Sequence, residues 1–157
     1  MKKKKDFFNK KWQLNARTKR KYDEIAKNVG KCVFCDLKEK YIVAKDSGLV
    51  LTINPFPYID GHLLVIPKRH IENYLDLTQN EIIAYHRLAK KGLKLLQEAL
   101  DIDSVWFLLR EGEETGKTVK HLHWQIMPFI KGLVTWHYQK VKLAPEELAR
   151  LLRKRNG

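Results

Sequence analysis

The segment of this chain whose residue types promise chemistry is Val119-Lys120-His121-Leu122-His123-Trp124-Gln125-Ile126-Met127-Pro128. Side chains alternate across a strand, so His121, His123 and Gln125 share one face and Leu122, Trp124 and Ile126 the other. The apolar side suits burial against a helix. The polar side sets three hydrogen-bonding groups in a row on a rigid element, which packing alone does not require. Cys32-Val33-Phe34-Cys35 is a second signal, since a Cys-x-x-Cys pair serves either redox chemistry or half of a zinc site. A thioredoxin-like βαβ context is absent around it. These are the only two cysteines, so a zinc site must recruit other ligands, and histidine is the natural one. Of the six histidines (His62, His70, His86, His121, His123 and His137), His86 falls within a helical stretch and His137 beyond the last core strand, both read as surface residues.

These groups need elements to hold them. Tyr41 to Lys45 and Leu49 to Ile53 are β-branched or aliphatic runs separated by Asp46-Ser47-Gly48, a hairpin pattern. Residues 54–61 carry two prolines and a glycine and read as a loop. His62 to Pro67, Ser104 to Arg110 and Val119 to Phe129 read as further strands, with a glycine-bearing loop over Glu111 to Lys117. Thr78 and Glu81 form a capping box ahead of an amphipathic helix through Leu100, in which Gly92 is a modest cost. Tyr22, Ile25 and Val29 have helical spacing, giving a short helix near residues 18–29. Pro145 opens a last helix with Leu148, Leu151 and Leu152 on one face. About five strands around one long helix predict an α+β domain with a mainly antiparallel sheet.

The chain has 157 residues, of which 44% are hydrophobic and 31% charged, enough for one domain with a core and too apolar for a disordered chain. The net charge of +13 is concentrated at the ends: residues 1–31 carry +9, residues 140–157 carry +4, and 32–139 are neutral. That pattern argues against a wholly nucleic-acid-binding domain and predicts basic tails, either as solvated faces or as contacts to nucleic acid or an acidic surface. The division expected is a basic extension over 1–30, a core domain over 31–139 and a basic C-terminal helix over 140–157. No apolar stretch is long enough to span a membrane and the lysine-rich start lacks a signal-like apolar region, so a cytoplasmic location is expected.

Residues 54–70 (Asn-Pro-Phe-Pro-Tyr-Ile-Asp-Gly-His-Leu-Leu-Val-Ile-Pro-Lys-Arg-His) and 116–125 (Gly-Lys-Thr-Val-Lys-His-Leu-His-Trp-Gln), with the cysteine pair, resemble the histidine-triad (HIT) superfamily of nucleotide hydrolases and transferases over residues 31–130. The resemblance implies a HIT-like fold, a homodimer and a covalent nucleotidyl intermediate on the middle histidine, here His123. Gln125 stands where the triad ends in histidine. That variant looks like galactose-1-phosphate uridylyltransferases and some diadenosine-tetraphosphate phosphorylases, which transfer the nucleotidyl group rather than release it to water. Glutamine cannot shuttle a proton, which favours a good leaving group and an already ionised acceptor such as phosphate. By the same likeness Asn54 contacts the ribose and His62 holds His123 in one tautomer; Ile53 and Phe56 either line a base pocket or belong to the core. Gln125, Thr118 and the backbone near Gly116 donate to the phosphate. Cys32, Cys35, His70 and His121 hold a structural zinc.

Two positions depart from the family pattern. Lys117 replaces a common Gln, and Arg110 replaces a Gln or Asn. Both add positive charge along the expected phosphate path and predict a longer polyphosphate or an anionic acceptor. Two other readings fit the same residues: a hydrolase of phosphoramidates or nucleotide conjugates, and a non-catalytic nucleotide- or RNA-binding protein using its basic ends.

Overall fold

A computed structural model of the chain describes Lys27 and residues 30–129, 131–132 and 141–155. The helix expected near residues 18–29 and His137 lie outside these residues, Lys27 apart. Five strands, β1 (Ile42–Asp46), β2 (Leu49–Ile53), β3 (Leu63–Pro67), β4 (Val105–Leu109) and β5 (Trp124–Pro128), form one sheet in the order β1-β2-β3-β5-β4. Every neighbouring pair is antiparallel. The helices given in full among the described residues are α1 (Gln79–Leu100) and α2 (Pro145–Arg153). The α+β class and the five-strand antiparallel sheet follow the sequence reading. The β1–β2 turn places Ser47 at φ 41° and Gly48 at φ 84°. Two successive left-handed residues match the right-handed twist of a hairpin.

The core lies between the sheet and α1. Leu49, Leu51, Leu63, Val65, Leu122, Trp124 and Ile126 meet Ala84, Leu88, Ala89 and Leu96 of the helix. Trp124 stacks on Tyr85 with ring centroids 4.4 Å apart. Gly92 has a packing reason beyond the helix cost read from sequence. A Cβ there would stand 2.9 Å from Ile126 Cδ1 and 3.3 Å from Leu63 Cδ1, so the missing side chain lets α1 settle close onto β3 and β5.

One strand is shorter than the sequence pattern suggested: β5 begins at Trp124, not Val119. The β3–β5 ladder pairs Leu63 with Ile126 and Val65 with Trp124, so continuing it would bring Pro67 into register with Leu122. Proline has no N–H to donate. The Leu122 N–H instead donates to the Ile71 carbonyl at 2.7 Å. Residues 118–121 bend, and the rings of His121 and His123 both lie against Phe34, with centroids 6.0 and 4.9 Å from it.

The α1 N-terminus is closed as expected. The Thr78 hydroxyl accepts from the Glu81 N–H at 3.2 Å, and Glu81 Oε2 accepts from the Thr78 N–H at 2.9 Å. Arg69, just past β3, adds a two-pronged contact to Glu81, both donors at 2.8 Å. The Arg69 bond holds the buried Glu81 carboxyl down to about 2 despite burial, with the Thr78 bonds assisting. A carboxylate with a depressed folded-state pKa stabilises the fold above its unfolded value and loses that contribution as it protonates. Glu81→Gln is therefore expected to lower the melting temperature at pH 7, with the gap to the wild type closing as pH falls from about 4.5 towards 2. A gap that stays constant over that range, measured by thermal melts, would contradict this role.

Candidate active site

A cavity of about 260 Å³ opens on the face of the sheet opposite α1. Its floor comes from neighbouring strands in register: Thr52 pairs with Leu64, Leu64 with Gln125, and all three line it. Because these positions alternate with Leu51, Val65 and Trp124, the residues that face the cavity and those that face the core come from the same strands. Asn54, Phe56, Tyr58, Arg110, Thr118 and His123 add walls, and the Cys-x-x-Cys segment adds Lys31, Val33, Phe34, Asp36, Leu37 and Lys38. Of the residues singled out from sequence, Asn54, Phe56, Arg110, Thr118, His123 and Gln125 meet here. Ile53, 47% exposed, does not line the cavity, and neither do Gly116 and Lys117. The sequence reading passed over Phe34, Thr52 and Leu64, the last two placed here only by their pairing with the strand that carries Gln125.

His123 is 9% exposed and its Nδ1 donates to the His121 carbonyl at 2.9 Å. That bond places the ring proton on Nδ1 and leaves Nε2 as the basic nitrogen. Burial pushes the His123 pKa down; the carbonyl bond opposes this, while the positive charges of Lys117 and Arg110 lower it further. The ring is therefore neutral at pH 7. Phe34 packs edge-on against it, ring centroids 4.9 Å apart. The contact that fixes the tautomer is thus a backbone carbonyl. His62 belongs to the neighbouring loop: its Nδ1 accepts from Asn54 Nδ2 at 3.2 Å and from the Tyr58 N–H at 3.3 Å. Asn54 also accepts the Phe56 N–H at 2.9 Å, so it shapes the turn and faces the cavity at once.

The two added cations separate. Lys117 Nζ donates to the Glu72 carbonyl at 2.8 Å, straddling two loops. Arg110 follows β4 directly. Continuing the register in which Leu109 faces Trp124 sets Arg110 across from His123. Its Nη1 donates to the Gly116 carbonyl at 2.9 Å.

His121 does not line the cavity. It is fully buried, and its Nε2 donates to the Pro67 carbonyl at 2.9 Å. Its Nδ1 lies 3.5 Å from Cys32 Sγ and 3.6 Å from Cys35 Sγ. His70 Nδ1 lies 3.3 Å from Cys35 Sγ, with its Nε2 3.3 Å from Glu72 Oε1. The four donor atoms fall within 4.8 Å of one another and could hold a metal ion. Each histidine turns Nδ1 inward and sets Nε2 beside an oxygen, the arrangement that orients metal-binding imidazoles. Burial holds the His121 pKa down to about 4, which keeps its ring neutral. Burial raises the Cys35 thiol pKa, and the charge of neighbouring Cys32 raises it further. A bound cation would relieve that repulsion between thiolates.

Comparison with known proteins bears on this arrangement. A family model described as HIT domain matches residues 37–131. An uncharacterized HIT-like protein of Saccharolobus solfataricus is 32% identical over 102 residues, covering 62% of this chain and 73% of that one. The bis(5'-adenosyl)-triphosphatase of Dictyostelium discoideum is 33% identical over 76 residues, covering 48% of this chain and 51% of that protein. A zinc-bound histidine triad family protein from Mycobacterium smegmatis, solved by crystallography, superposes with a TM-score of 0.56 at 26% identity, covering 78% of this chain and 91% of that one. Among the described residues no helix is long and apolar enough to cross a membrane.

Proposed function

This chain belongs to the HIT domain family, and on that premise we propose that it transfers the nucleotidyl group of a dinucleoside polyphosphate, or a related nucleotide, through a covalent bond to His123. The observation that supports this most is the setting of His123: neutral, its Nδ1 proton engaged by a backbone carbonyl, at the wall of a cavity that also holds Asn54 and Gln125. The Dictyostelium relative, named for hydrolysis of a bis-adenosyl triphosphate, supports the substrate class.

In the first step the Nε2 lone pair forms a bond to the α-phosphorus while the P–O bond to the departing polyphosphate breaks. The leaving group takes that electron pair and, already stable as an anion, needs no proton. The imidazole becomes cationic, and its Nδ1–H bond to the His121 carbonyl strengthens. Gln125 and Thr118 donate to non-bridging oxygens, where charge gathers in the transition state. In the second step an acceptor oxygen attacks phosphorus and the N–P electron pair returns to Nε2. Water attacking there would need a base, which Gln125 cannot be; inorganic phosphate would not. Phosphate is therefore the favoured acceptor.

Zinc is the metal we assign to Cys32, Cys35, His70 and His121, since two thiolates and two imidazoles suit it. Four protein ligands would leave no open position, so it would brace the loop bearing Phe34 and activate no water.

The test is incubation with diadenosine tetraphosphate, with and without phosphate, and analysis of products. Adenosine diphosphate formed only when phosphate is present, with a nucleotidyl adduct on the peptide containing His123, is the expected result. Adenosine monophosphate and adenosine triphosphate with no adenosine diphosphate, formed at a rate indifferent to phosphate, would make the enzyme a hydrolase. No turnover and no adduct would defeat the proposal.

A further inference from the structure

We propose that Cys35, together with Cys32, is a site of reversible oxidation by hydrogen peroxide, and that the disulfide so formed frees the turn carrying Phe34 from the interior and opens the cavity wall beside His123. The oxidation stands on the geometry of the two thiols. Its effect on nucleotide binding rests on the reading of the cavity given above.

The Cys35 N–H donates to the Cys32 carbonyl at 3.0 Å, closing a turn with a cysteine at each end. The ends of such a turn lie within about 7 Å of each other, Cα to Cα. A disulfide spans about 4.4–6.8 Å on the same measure, so the pair can be joined without unfolding the segment. The sulfurs themselves lie within 4.8 Å, as members of the cluster with His70 and His121. Cys35 is exposed and Cys32 only partly so, and an oxidant arriving from solvent therefore meets Cys35 first.

The residues between the thiols reach the candidate nucleophile. Val33 and Phe34, in the middle of the turn, line the cavity. The Phe34 ring stands edge-on to His123, with centroids 4.9 Å apart. Among the described residues, the sulfurs' contacts outside the turn are those to His70 and His121. His121 is held independently, through the Pro67 carbonyl. When the sulfurs bond to each other, His121 keeps its place and the turn loses its ties to the histidines.

The chemistry needs two thiolates, the form in which a metal-binding cysteine is held. The Cys35 sulfur attacks one peroxide oxygen. The O–O bond breaks, and the other oxygen leaves with the electron pair and takes a proton to become water. Cys35 is then a sulfenic acid. The Cys32 thiolate attacks that sulfur, the S–O bond breaks, and the hydroxyl takes a proton and departs as a second water. The sulfur pair gives up two electrons and the peroxide accepts them. Neither sulfur of the disulfide keeps the negative charge that holds a zinc ion, and His70 and His121 alone make half a site.

The experiment treats full-length, zinc-loaded protein with hydrogen peroxide. Released zinc is followed with a chromogenic chelator, the Cys32–Cys35 linkage by mass spectrometry of peptides, and affinity for adenosine 5'-monophosphate by calorimetry. The expected result is a disulfide within one chain and about one zinc ion released for each disulfide formed. Affinity should weaken about fivefold or more as the aromatic wall withdraws. Dithiothreitol with zinc should restore all three, which separates this change from methionine oxidation, since thiols alone do not restore a sulfoxide. Zinc retained through oxidation, thiols that go to sulfinic acid without pairing, or a smaller loss of affinity would overturn the proposal. A chain that takes up no zinc before treatment fails the metal assignment, and this switch with it. If the untreated protein binds no nucleotide, the reading of the cavity fails by itself. The imidazole resonances of His123 then decide the switch: a thiol-reversible shift on disulfide formation keeps it, and unchanged resonances remove it.

Discussion

Turnover by a His123→Ala protein is expected to fall by on the order of 10³-fold or more, because the residue is assigned as the nucleophile and no other described group on the cavity wall has an imidazole to offer. The fold should survive the change. His123 lies ahead of β5, and its ring faces the cavity and Phe34 rather than the core packed on α1. Near-wild-type far-ultraviolet circular dichroism should accompany the lost activity. A sharper version uses His123→Gly with added imidazole. A small ring entering the vacated space can attack phosphorus itself, so partial recovery of turnover is expected without any protein-bound adduct. Activity within about tenfold of wild type in His123→Ala would remove the residue from the nucleophile's role.

The second large effect concerns the four-residue cluster. Cys35→Ser is expected to drop bound metal from about one ion per chain to a small fraction, measured by elemental analysis of purified protein. Structural zinc contributes up to the order of 10 kcal/mol of apparent folding free energy. Part of that is offset when the chain relaxes, so several kcal/mol should be lost. At roughly 2–4 °C per kcal/mol for a chain of this size, the melting temperature should fall by about 10–20 °C. Chelation of the wild type should approach the same value, and zinc should restore it. A variant that has lost the metal but melts with the wild type would show that the cluster does not support the fold. Cys35 is exposed and His121 fully buried, so the metal would join a surface loop to the interior beside His123.

Much of the fold was legible because local chemistry and tertiary packing agree. Thr78 and Glu81 mark the start of α1, and Ser47-Gly48 the hairpin, through interactions within a few residues. The strand that carries Gln125 was harder. Its alternation is correct from Leu122 through Ile126, but its start is set by a proline on β3, a partner that periodicity cannot see. The end of α1 falls at Leu100, where the apolar pattern stops, although Asp101 and not a glycine takes the left-handed cap conformation.

The candidate site divides along similar lines. Residues with a distinctive chemical type, such as Cys32, Cys35, His121 and His123, were identifiable from spacing and resemblance. Thr52 and Leu64 were not, because an ordinary strand residue becomes a floor residue only through pairing. Arg110 and Lys117 were equivalent as text. Register and hydrogen bonding give them different surroundings, one on the cavity wall and one tying two loops together.

The back-to-back placement of cavity floor and core on β2, β3 and β5 has an evolutionary reading. Thr52, Leu64 and Gln125 are exchangeable for selectivity while Leu51, Val65 and Trp124 keep the molecule folded, since consecutive positions answer to opposite sides of the sheet. A lineage carrying such a scaffold can alter what the cavity accepts at every second site while the helix-facing positions between them stay as they are.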